Sequence, residues 1–152
     1  HGISSYGELE SKLTAVSARR DTAHAEIKRI ESRSAELSLV MKHAGTYRQL
    51  KPLYERYRKS NDKEKFLRGH ESEIILFEAT ARELKRLGTV PLPTTESMKK
   101  ELANLTAEKE RLLAEYKAAR TEAQEYDTVK QNVDALLTVP KEQEQQRRHE
   151  LE

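Results

Sequence analysis

With 152 residues, 36% apolar and 36% charged, the chain has too little apolar surface for a thick globular core, since ordinary domains run at roughly 45–50% and 25%. The absence of cysteine excludes disulfides and thiolate metal sites, and it fits a reducing cytoplasm. A formal charge of +2 excludes strong bulk attraction to nucleic acid or anionic membranes, so any such contact has to come from a local cluster.

Glu, Lys, Arg, Ala and Leu dominate while Gly (5) and Pro (4) are scarce, the balance of long exposed helices with narrow apolar seams. An all-α chain is expected, without strands. The longest apolar run, Ile74 to Phe77, is too short to enter a membrane, and no signal peptide is visible, so a cytoplasmic location is expected. His1 at the start and Leu151-Glu152 at the end, a pair that suits a purification-tag junction, lead us to expect a fragment of a larger protein.

In chain order, the first long helix is expected over about 5–44. From Tyr6 to Met41 seam residues recur in alternating steps of three and four, with Arg20 and Ser34 as polar exceptions. Ser5 and Glu8 are spaced as a capping box, and Gly45 can take the left-handed conformation that closes a helix. A helical cap is expected over about 46–88, as two shorter helices. Thr46 and Gln49 open the first, which Pro52 should kink or delay; Asn61 and Glu64 open the second, which ends at Gly88. Val90 to Pro93 reads as an extended connector.

The second long helix is expected over about 95–139, capped by Thr94 or Thr95 and stopped by Pro140. Its seam runs unbroken from Met98 to Leu137. Two matching seams imply a long antiparallel coiled-coil helical hairpin capped at one end by two shorter helices, a single elongated module over 1–140 followed by a polar tail at 141–152. The best size match sets Ala23 opposite Tyr116, Val16 opposite Ala123 and Leu13 opposite Tyr126, so that paired numbers sum to 139. A shift of seven residues keeps apolar positions aligned, and only size matching argues against it. A monomeric hairpin is preferred over a homo-oligomer.

The five histidines show no metal-ligand spacing, and no phosphate-loop, nucleophile-elbow or zinc-protease motif occurs. No catalytic residue, metal or cofactor is expected. His70, beside Gly69 among apolar residues, is the histidine best placed for burial. One cluster stands out between Tyr47 and His70: Arg48, Lys51, Arg56, Arg58, Lys59, Lys63, Lys65 and Arg68 against Glu55, Asp62 and Glu64, a net +5. Tyr47, Tyr54, Tyr57 and Phe66 are interleaved with them. Cations plus rings suit phosphate contacts with base stacking. The competing reading is that Leu50 and the rings form a small core while the cations stay solvated.

The run Tyr54-Glu55-Arg56-Tyr57-Arg58-Lys59-Ser60, then Phe66, the stretch from His70 to Ala79, Leu92-Pro93, the stretch from Ala114 to Lys117 and Asn132-Val133-Asp134 together resemble the C-terminal region of relaxase/mobilization nucleases of bacterial conjugative transposons and plasmids. The likeness extends from about Ile3 to Leu137. In that family an N-terminal nuclease domain nicks DNA with a tyrosine nucleophile and a histidine-held metal, and none of that machinery maps onto this chain. The resemblance therefore implies a non-catalytic appendage that meets conjugation accessory or coupling proteins or supports the grip on DNA at the transfer origin, and the eight basic residues are expected to contact single-stranded DNA or an acidic partner surface. The alternative from another class is a purely structural coiled-coil dimerisation or spacer module.

Overall fold

A seam of three- and four-residue steps buries one stripe of a helix and leaves the remaining faces wet, so the helices need one another's stripes. The computed structural model describes residues 5–150, and the side chains of 5–138 among them. These residues form three helices, α1 (Tyr6–Lys59), α2 (Lys63–Arg86) and α3 (Thr95–Glu150), and no strand occurs among the described residues. The expected end-tag junction at Leu151-Glu152 lies outside them. No described helix is long and apolar enough to cross a membrane.

Two compact units divide the chain. The first takes the start of α1 up to Lys28 and α3 from Glu108 onward. One cluster of its core is Leu9, Val16, Ala119, Ala123 and Tyr126, with Leu13 packed against it, and Ala23, Ile27 and Leu112 are buried as well. The polar contacts on its flanks fix the direction of the two strips. Tyr6 Oη donates to Asp134 Oδ1 at 2.8 Å, Lys130 Nζ lies 3.8 Å from Glu10, Arg19 pairs with Glu122 at 2.9 Å, and the His24 and Tyr116 rings sit 5.6 Å apart. Numbers rise along α1 as they fall along α3, which is antiparallel pairing, and the sums of 140 to 141 lie beside the expected 139. The Asp134 hydrogen bond, with burial and the nearby carboxylates, pushes the Tyr6 hydroxyl up to about 12, because the neutral phenol is the donor.

The second unit, Arg29–Ala107, packs the remainder of α1, all of α2 and the start of α3. Ile30, Leu37, Val40, Ala44 and Leu53 from α1, Ile74, Phe77 and Leu84 from α2, and Met98 and Leu105 from α3 are its buried apolar side chains. Arg33 Nε donates to Glu101 at 2.8 Å across this unit.

Several helix ends are built from the expected local signals. Ser5 Oγ accepts the Glu8 amide at 3.1 Å, and Thr94 Oγ1 accepts that of Ser97 at 3.1 Å. Gly88, at φ +70, closes α2: its amide bonds Lys85 O at 3.1 Å while the Thr89 amide bonds Leu84 O at 3.1 Å, the paired bonds of a Schellman ending.

The expected helix boundaries are corrected at several points. The boundary between a long helix at 5–44 and a cap at 46–88 is absent, because α1 continues through Gly45 to Lys59. An exposed helical glycine costs only about 1 kcal/mol, less than the burial of Val40, Ala44 and Leu53 around it returns. Thr46 caps nothing; its Oγ1 donates back to Lys42 O at 3.2 Å within the same helix. Pro52 is also inside α1, at an exposed position where water can take the carbonyl that loses its partner. The cap of α2 is Asp62 rather than Asn61, with Oδ1 accepting the Lys65 amide at 3.1 Å. Pro140 does not end α3, which runs to Glu150; one proline removes one amide donor, and a helix can pass through it with a kink.

Nothing lies within 4 Å of a Cβ built on Gly45, so Gly45→Ala is expected to stabilise the protein by about 0.5–1 kcal/mol through helix propensity alone. Urea unfolding followed by circular dichroism measures it. A loss of stability would show that position 45 needs glycine for something other than helix.

Candidate functional site

The +5 segment folds as the last turns of α1, a three-residue turn, and the first turns of α2. Ser60, Asn61 and Asp62 have short polar side chains that compete with helical hydrogen bonds, which is why α1 stops here. Ser60 N donates to Tyr57 O at 3.2 Å and Ser60 Oγ donates to Asp62 O at 3.1 Å, so the turn is closed by its own residues. It brings the basic end of α1 (Arg56, Arg58, Lys59) beside the basic start of α2 (Lys63, Lys65, Arg68). The first three also lie where the α1 dipole is negative, and that accounts for part of their placement without any ligand.

All eight candidate residues are exposed, but they divide into two groups. Arg48 is committed within the protein: its guanidinium donates to Thr95 Oγ1 at 2.7 Å and to Pro93 O at 2.7 Å, tying α1 to the connector and to the first turn of α3. Lys51 holds its ammonium 5.9 Å from the centre of the Tyr47 ring, a cation–π arrangement one helical turn apart. The remaining six, Arg56, Arg58, Lys59, Lys63, Lys65 and Arg68, have no side-chain hydrogen bond or ion pair among the described residues.

The aromatic residues do not stand free among these cations. Tyr47 stacks on Phe77 at 4.9 Å, Phe77 on Tyr54 at 4.4 Å, and the chain continues through Tyr54–Tyr57 at 5.9 Å, Tyr57–Phe66 at 6.1 Å and Phe66–His70 at 4.7 Å. Six rings thus join the end of α1 to α2, with Phe77 buried and the other five half-buried. Of the two sequence readings, the rings follow the core one. Phe77 lies beyond the Tyr47–His70 segment, at the end of the chain's longest apolar run.

His70 is half-buried and breaks the α2 geometry at φ −138, ψ 24, with Nδ1 at 3.9 Å from Glu73. A shallow hollow of about 270 Å³ beside the turn is lined by Ser60, Asp62, Lys65, Phe66, Gly69 and His70. A larger groove of about 500 Å³, in the first unit, is lined by alanines and by the paired Arg19 and Glu122. In the hollow the Ser60 hydroxyl is bonded to Asp62 O at 3.1 Å, and no group of three potential metal ligands occurs among the described residues. The chain matches no protein-family model, no curated protein and no solved structure.

Proposed function

We propose that this chain is the non-catalytic, all-helical C-terminal appendage of a conjugative DNA relaxase, and that the α1–α2 corner is where it touches the DNA being mobilized. The observation that carries the contact is the set of six exposed cations, without side-chain partners among the described residues, gathered by one three-residue turn. The relaxase origin is supported by the resemblance of the segments Tyr54 to Ser60 and His70 to Ala79, with the shorter stretches that follow. The same reading takes α1 and α3 as the arms of one long antiparallel coiled-coil hairpin, supported by the unbroken seam of each, with conjugation accessory or coupling proteins as partners for its other faces. A second reading, a purely structural dimerisation or spacer module, is favoured by Leu136 and Leu137, which stay exposed on α3 beyond Asp134. A stable dimer in sedimentation equilibrium is its signature.

The DNA contact is tested by fluorescence anisotropy with a labelled single strand at several salt concentrations. About four phosphate contacts give a log–log salt slope near −3, from roughly 0.7 counterion released per contact. Arg56→Gln, Lys59→Gln, Lys63→Gln and Arg68→Gln combined should remove most of that slope at unchanged helicity, because exposed charges contribute little to folding. Absence of salt-sensitive DNA binding, with binding of a polyglutamate peptide instead, would make the corner a protein-docking surface.

A further inference from the structure

We infer that the α1–α2 corner holds DNA by its phosphate backbone alone, stacking no base, and therefore takes duplex in preference to a single strand. The inference rests on the proposed DNA contact and specifies its chemistry. Proteins that prefer single strands combine a basic groove with aromatic faces that receive the bases. Here Tyr47 and Tyr54 are stacked on Phe77 and Tyr57 meets Phe66 at a tilt, so opening any of these tyrosines or Phe66 to a base means breaking a contact that joins α1 to α2. From Arg56 to Arg68 the remaining large apolar side chains, Tyr57, Phe66 and Leu67, are half-buried, so the corner also lacks the exposed aromatic anchor on which protein partners usually close.

What stays available is charge. Arg56 and Lys59, and Lys65 and Arg68, are spaced three apart on their helices and so share a face within each pair, roughly 5–6 Å between Cβ atoms. Arginines among them can grip phosphate oxygens with two parallel N–H donors. Binding of this kind reads charge density, which is higher on duplex, with one charge per roughly 1.7 Å of axis against about 3.4 Å for each strand.

Three labelled probes of equal length decide it: a mixed-sequence duplex, an oligothymidylate strand, and an abasic phosphodiester strand, each titrated by anisotropy. The duplex should bind most tightly, losing roughly 150-fold in affinity between 50 and 200 mM salt for about four contacts. The abasic and thymidylate strands should bind equally, each losing roughly 50-fold over the same range, and tyrosine fluorescence should not be quenched on binding. Tighter binding of oligothymidylate than of the abasic strand, or quenching of the tyrosines, overturns the inference while leaving the DNA reading intact. Failure of all three probes to bind overturns both.

Discussion

Phe77→Ala is expected to destabilise the protein by about 3–5 kcal/mol, the range for truncating a buried phenylalanine that leaves a cavity. Phe77 is 5% exposed and is the only ring of the stack that is fully inside, with Tyr47 on one side at 4.9 Å and Tyr54 on the other at 4.4 Å. Its loss removes its own apolar area from the core and leaves both tyrosines with an open face. The neighbouring Ile75, 54% exposed, is the internal control, and Ile75→Ala should stay within about 0.5 kcal/mol. At this size each kcal/mol moves the melting midpoint by roughly 2–4 °C, so Phe77→Ala should lower it by about 10 °C and Ile75→Ala by no more than about 2 °C. Comparable losses for the two variants in thermal and urea unfolding would mean that the ring stack does not hold α2 to α1.

How far the sequence could be read depended on whether a signal was local. Gly88 and Thr94 act within a turn of their own positions, and both were legible as helix boundaries from residue type. The seams were legible for the same reason, since steps of three and four are a property of one helix. Gly45 and Pro140 misled because each is a small local cost weighed against the rest of a long helix. At Gly45 the opposing gain is visible in the burial of Val40, Ala44 and Leu53, whose packing residue type alone does not show. Asp62 displaced Asn61 as the cap by one position, a difference that residue type cannot resolve when Asn and Asp are both favoured at a helix start.

The candidate site was legible as composition and not as arrangement. Eight cations in a short span are countable, but that Arg48 would be spent on Pro93 and Thr95 depends on a contact across 45 residues of chain. That Phe77 would lie between Tyr47 and Tyr54 depends on how α2 folds back along α1. Without it, interleaved rings and cations fit a base-stacking surface as well as a solvated core edge. The half-burial of Tyr47, Tyr54, Tyr57 and Phe66 separates the two.

The pairing within the first unit leads to the second large expected effect. Ala123 is 4% exposed, in one cluster with Leu9, Val16 and Tyr126, and enlarging it has to displace neighbours that are already packed. Ala123→Leu should therefore cost about 1–3 kcal/mol. Val16→Ala alone removes buried methyl groups from the same cluster and should cost about 1–2 kcal/mol. If Val16 and Ala123 face each other, as the sum of 139 requires, the added volume at one position fills the space vacated at the other. The double variant Val16→Ala with Ala123→Leu should then be more stable than the sum of the two losses predicts, by about 1 kcal/mol or more, as coupled neighbours behave. With a register shifted by seven residues Val16 would face Tyr116 or Lys130, and the two losses would add to within about 0.5 kcal/mol. Urea unfolding of the three variants and the parent, with midpoints and slopes fitted separately, distinguishes these outcomes, because simple additivity at unchanged slope leaves no room for a shared site.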